Sequence, residues 1–209
     1  MSDTESIRLA DISNYYTKKI VEHGNTPKGV DWNGEDGQIL RFKQLCKIIN
    51  TSNHFSINDL GCGYGALNTY LKKNHEEFSY SGFDISKDMI KAAKELNPEN
   101  HRTRFIESSK PDKTADYTIA SGIFNIRLDH PDNEWLTYIK ETLHLLNNKS
   151  HLGFSFNCLT SYSDADKMRD YLYYTAPCVI FDYCMNKFSH NVTVLHDYGL
   201  YEFTILVRK

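Results

Sequence analysis

The spacing of hydrophobic positions changes along the chain, and the changes mark out its elements. From Ile7 to His23 the pattern is helical, and Gly24 and Pro27 stop it. A polar, glycine-bearing stretch from Thr26 to Gly37 follows. Helical spacing then returns over Gln38 to Asn50, with Leu40, Leu45, Ile48 and Ile49. Beyond residue 55, strand-like and helix-like runs alternate. Strands are predicted over 55–60, 80–84, 103–107, 117–121 and 152–159. Helices are predicted over 66–73, 88–96 and 134–146, with one long helical region from Asp164 to Phe188. Such alternation predicts parallel strands joined by right-handed crossovers. The end of the chain departs from it. Asn191 to Leu195 and Tyr201 to Val207 are β-rich, and the link His196-Asp-Tyr-Gly-Leu200 is too short for a helical crossover. Those two strands are therefore predicted to be antiparallel.

The pattern predicts one doubly wound α/β domain, a three-layer sandwich around a mostly parallel seven-stranded sheet ending in an antiparallel hairpin. Residues 1–54 are expected to form a helical extension, a lid over the site, on a core domain of residues 55–209. A chain of 209 residues suits that plan. There is no repeat and no low-complexity segment.

Composition narrows the function. The net charge is −3 with no long basic run, which argues against a nucleic-acid partner. Cys46, Cys62, Cys158, Cys178 and Cys184 are scattered, with no CxxC pair, so no metal site is expected. They read as reduced, mostly buried thiols of a cytoplasmic protein. No secretory h-region follows Met1, and no apolar run reaches the length of a membrane span. A monomer or a homodimer is expected. The 14 tyrosines suit half-buried packing or a pocket for a small polar ligand.

The most informative segment is Asn58-Asp-Leu-Gly-Cys-Gly-Tyr-Gly-Ala66, placed where the first strand turns into a helix. Gly61, Gly63 and Gly65 allow left-handed backbone angles and close approach of a ligand. The helix beginning near Ala66 offers N–H groups and a positive dipole end. Ligands of open α/β sheets bind at this carboxyl edge. Asp84 ends the next strand, 19 residues beyond Gly65, where a carboxylate accepts hydrogen bonds from a ribose diol. Glycine spacing alone also satisfies a looser dinucleotide pattern. Asp59 separates the two readings, because a carboxylate at this strand edge repels a pyrophosphate and favours a cation.

Asp59-Leu-Gly-Cys-Gly-Tyr-Gly65 resembles the glycine motif of the class I S-adenosylmethionine-dependent methyltransferases, which have a Rossmann-like fold. The resemblance covers residues 56–209. It implies that Asp59, Gly61, Cys62, Gly63 and Gly65 form the cofactor loop, that Asp84 binds the ribose, and that Ile85 lies against the adenine. The family often has an Asp after the third strand to bind the adenine amino group. Glu107-Ser-Ser109 stands there instead, with Ser108 the candidate. Ser121, at the end of the fourth strand, falls where the family approaches the methionine half of the donor. Its members acting on amino groups of DNA or protein often carry an Asn/Asp-Pro-Pro-aromatic motif at this point. Here the residues are Ser121-Gly-Ile-Phe-Asn125, so those substrates lose support.

The sulfonium of the donor already activates its methyl group, so the protein must mainly position an acceptor. Asn125 is the candidate to orient it. Tyr15, Tyr16 and Trp32 are placed to cover the donor, with aromatic faces toward the sulfonium. Arg41 is placed to pair with the donor carboxylate. His196, beside Asp197, and His130 are the acid–base candidates. Asn125, His196 and Tyr16 form the expected catalytic set. The function expected is methyl transfer from S-adenosylmethionine to a small polar acceptor. A catalytically silent partner protein on the same fold and an NAD-binding oxidoreductase remain the alternatives.

Overall fold

The computed structural model describes residues 3–32, 34–51 and 53–209, with side chains from residue 9 onward. Within the predicted extension, Met1, Ser2, Asn33 and Ser52 lie outside the described residues. The chain runs α1 (Asp3–His23), α2 (Glu35–Leu45), β1 (Phe55–Leu60), α3 (Ala66–Asn74), β2 (Phe78–Asp84), α4 (Lys87–Leu96), β3 (Thr103–Glu107), β4 (Ala115–Ala120), α5 (Asp132–Asn148), β5 (Ser150–Thr160), β6 (Tyr174–Thr175), α6 (Pro177–Lys187), β7 (Asn191–Leu195) and β8 (Glu202–Arg208). The main sheet order is β3-β2-β1-β4-β5-β8-β7, and β6 pairs with the end of β5. The first five strands are parallel, whereas β8 runs antiparallel to both β5 and β7.

Side chains alternate across the strands, so each face of the sheet carries its own core. Phe154, Phe156 and Cys158 of β5 face α5 and α6, where Trp135, Ile139, Leu143 and Ile180 are buried. Phe55, Ile57 and Tyr80 face α2, α3 and α4, meeting Leu45, Leu67 and Ala93. The predicted extension is thus split. Phe42, Leu45 and Ile48 belong to the core of the sheet, while α1 crosses the top of β2. There Ser13 donates to the Ile85 carbonyl at 3.1 Å and Thr17 bonds Ser86 at 2.8 Å.

Two expectations change. The sheet has eight strands, because Tyr174–Thr175 add a short one, and the region 164–188 is one helix only from Pro177. Proline fits the first helical turn because its missing N–H needs no partner there. Residues 108–114 join β3 to β4 without a helix.

Candidate functional site

Strand β1 delivers Asp59 to the carboxyl edge of the sheet, and the chain then turns through Gly61 and Gly63 into α3. Gly61 has φ 75°, and a Cβ on it would lie 2.2 Å from Ile123 Cγ2. Both facts demand glycine. The first three amides of this turn are already taken by β2. Gly61 and Cys62 donate to the Phe83 carbonyl at 2.7 and 3.0 Å. Gly63 donates to Asp84 Oδ2 at 2.9 Å, and Ser86 donates to Asp84 Oδ1 at 2.9 Å.

A cavity of about 320 Å³ opens in front of this turn. That lies at the small end of the range for ligand sites. Asp59, Gly61, Cys62, Gly63, Asp84 and Ile85 form its floor. Ser108, Ser121, Tyr16 and Trp32 also line it. Burial pushes the Asp59 carboxyl up to about 7, helped by the charge of Asp84 and opposed by the Tyr80 hydroxyl. Burial also raises Asp84 to about 6, against the pull of the Ser86, Gly63 and Ile85 amides. Two carboxyls held this way make the floor a site for a cation or for hydroxyl donors, not for an anion.

Comparison with known proteins identifies the family. Residues 58–149 match the family model described as a methyltransferase domain. The Mycobacterium tuberculosis protein Rv1506c, named as a methyltransferase, is 55% identical over 163 residues, covering 78% of this chain and 98% of its own. The chain belongs to the class I S-adenosylmethionine-dependent methyltransferases. Magnesium protoporphyrin IX methyltransferase from Synechocystis PCC 6803, solved with bound SAM, superimposes with a TM-score of 0.60 at 12% identity, over 100% of this chain and 98% of that one. DhpI, solved with SAH, gives 0.64 at 12% identity over 95% of each. At that identity the likeness is one of fold.

Within this methyltransferase the predicted residues separate into those that meet and those that do not. Tyr16, Trp32, Asp59, Gly61, Cys62, Gly63, Asp84, Ile85, Ser108 and Ser121 share one cavity. Ser121 Oγ is buried without a hydrogen-bond partner. The Ser108 hydroxyl is engaged in its own turn, donating to the Lys110 carbonyl at 2.8 Å. Gly65 points elsewhere: its Cβ position faces Asn97 and Phe105, and its carbonyl accepts from Asn97 at 3.1 Å.

Arg41 does not face the donor site. Its guanidinium donates to Glu202 Oε1 at 2.7 Å and stacks 3.7 Å from the Trp32 ring centre. A buried carboxylate holds it there, which sequence spacing does not reveal. His196 is exposed on the terminal hairpin, against Tyr162 and Phe203, and off the cavity wall. His130 stacks on Trp135, with Nε2 3.8 Å from Asp11. Tyr15 donates to Asp31 at 2.8 Å. Asn125 lies behind the wall, 6% exposed, and its Oδ1 is buried without a partner.

The sequence reading missed one wall. Tyr138, Glu141, Thr142 and Leu145 of α5 line the cavity. Their i, i+3, i+4, i+7 spacing marks one helical stripe, but nothing in it says that the stripe faces a ligand. Cys46, Cys62, Cys158 and Cys184 are buried free thiols, and Cys178 is exposed. Among the described residues no group of three or more His, Cys, Asp or Glu is placed to hold a metal ion. No described helix is long and apolar enough to cross a membrane.

Proposed function

We propose that this methyltransferase transfers a methyl group from S-adenosylmethionine to a small polar acceptor by in-line displacement. The observation that carries this reading is the pairing of two buried carboxyls, Asp59 and Asp84, with a glycine turn whose Gly61, Cys62 and Gly63 amides are already bonded to β2. A pyrophosphate needs free amides and is repelled by carboxylates, so an NAD reading loses support. The cavity fits an adenosine carrying a cationic tail. Asp84 would hold the ribose hydroxyls, Ile85 would lie against the adenine, and Asp59 would face the amino group. Ser121 Oγ, buried and without a partner, would take a polar group of the tail.

When bound, S-adenosylmethionine supplies a methyl group already activated on a sulfonium. The chain then has to position an acceptor and exclude water, which together supply about 7–11 kcal/mol in favourable cases. Tyr16 and Trp32 exclude water from above. Asn125 is off the cavity lining, and its backbone amide donates to the Gly122 carbonyl at 3.2 Å, so it would shape the turn that carries Ser121 and not touch the acceptor. Residues 3–32 would act as the lid, tied to the core by the bonds of Ser13 to Ile85 and Thr17 to Ser86 and braced internally by the Tyr15–Asp31 bond.

Isothermal calorimetry with S-adenosylmethionine, S-adenosylhomocysteine and NAD tests the donor. Saturable binding of the first two, and not of NAD, is expected. Absence of binding for either at millimolar concentration would overturn the reading.

A further inference from the structure

The function just proposed leaves unused a buried carboxylate at the start of β8. Glu202 is 1% exposed, and both its oxygens are engaged. Oε1 accepts from Arg41 Nε at 2.7 Å and from Nη2 at 2.5 Å. Oε2 accepts from Asn157 Nδ2 at 2.5 Å. Each partner leads to the cavity by its own path. The Arg41 guanidinium lies 3.7 Å from the centre of the Trp32 ring. Gly37, one turn earlier on α2, makes room for it, since a Cβ there would stand 3.0 Å from Arg41 Nη1. Asn157 Oδ1 accepts from the Gly122 amide at 2.8 Å. Gly122 and Trp32 then meet, with the Gly122 Cβ position 2.5 Å from Trp32 Cζ2.

The contacts form a closed ring: Glu202, Arg41, Trp32, Gly122, Asn157 and back to Glu202. Two members, Trp32 and Gly122, line the donor cavity. The other three do not. Exchanging a buried ion pair for apolar side chains is often neutral or stabilising, so such a pair is poor evidence of a role in stability. What this ring does is set the positions of two separate pieces of the wall against one anchor. A lysine in place of Arg41 would keep a charge but lose the planar face that stacks on the indole.

We infer that Glu202 is a positioning residue for methyl transfer. Through Arg41 it presses the Trp32 ring onto the Gly122 turn, and through Asn157 it fixes that turn at the end of β4. The inference rests on the donor site proposed above. It assigns Arg41 to holding Trp32 in place rather than to the donor carboxylate.

The test uses the full chain with Glu202→Gln, Arg41→Lys and Trp32→Phe. The chain has two tryptophans, so subtracting the emission of Trp32→Phe isolates Trp32. Without any ligand, both Glu202→Gln and Arg41→Lys are expected to red-shift the Trp32 emission and open it to acrylamide quenching. Both are expected to weaken S-adenosylhomocysteine binding by about tenfold, the size of one lost cation–π contact. Arg41→Lys retains a cation for Glu202, so it provides a folded variant if Glu202→Gln melts. A lower melting temperature with unchanged Trp32 quenching and unchanged affinity would overturn the inference, because Glu202 would then be structural only. If the wild type binds no S-adenosylhomocysteine, the donor reading fails, and the inference fails with it only if the Trp32 quenching is also unmoved by both variants.

Discussion

Tyr80 donates its phenolic hydrogen to Asp59 Oδ2 at 2.5 Å, from β2 to the neighbouring β1. Both side chains are buried, at 1% and 2% exposure. The phenol therefore holds down a carboxyl that its surroundings push up to about 7. A cationic amino group binds the ionised carboxylate, so donor affinity is expected to rise with pH through about 7. Tyr80→Phe removes the group that lowers the Asp59 value. It should move the midpoint of that rise to higher pH, as calorimetric titration of S-adenosylhomocysteine over pH 5.5–9 would detect.

Stability of the free protein runs the other way. Asp59 and Asp84 titrate higher when folded, at about 7 and about 6, than the ordinary 3.8. Between those values the folded chain holds protons that the unfolded chain has lost. Their contribution is fully present below about pH 4 and is lost as pH climbs to about 7. Melting curves should show the stabilisation conferred by S-adenosylhomocysteine growing as pH rises over the same window.

Gly61→Ala meets two obstacles, a φ of 75° and the Ile123 methyl 2.2 Å from the new carbon. It is expected to cost about 1–3 kcal/mol of stability and to abolish donor binding. Adding Ile123→Ala removes the collision and leaves the backbone cost. The double variant should therefore recover part of the melting temperature lost by the single one.

Asp84→Asn replaces an acceptor with an amide beside two N–H groups that need acceptors, those of Gly63 and Ser86. A charge-assisted hydrogen bond contributes about 1.5–3 kcal/mol. S-adenosylhomocysteine should therefore bind about tenfold to a hundredfold more weakly.

Asn125→Ala and His196→Ala separate a buried group from an exposed one. Asn125 is buried in the turn beside Gly122, which lines the cavity, and its loss is expected to lower kcat about tenfold by shifting that turn. His196 stands off the wall, and its removal should leave kcat and KM within about twofold. Steady-state kinetics on both variants with one acceptor would check this.

Much of the plan was legible in the residues. β3 falls where its β-rich run predicts, Thr103–Glu107, and the hairpin of β7 and β8 follows from a link too short for a helix. Tyr174–Thr175 was not legible, because two residues make a strand only when an exposed edge such as the end of β5 is there to pair with. Arg41 was misread for a related reason. Its partner Glu202 is 161 residues away, and no local pattern links them.

By itself the sequence determined the alternation of strand and helix, the glycine turn and the acid at the end of β2. Those depend on neighbours within a few residues, on backbone sterics and on hydrophobic period. The tertiary structure decided which groups share the cavity, how strongly its carboxyls hold their protons and which face of α5 is open. Those depend on burial and on contacts between residues far apart in the chain. Desolvation acts only once the fold has removed water, so no reading of local sequence contains it.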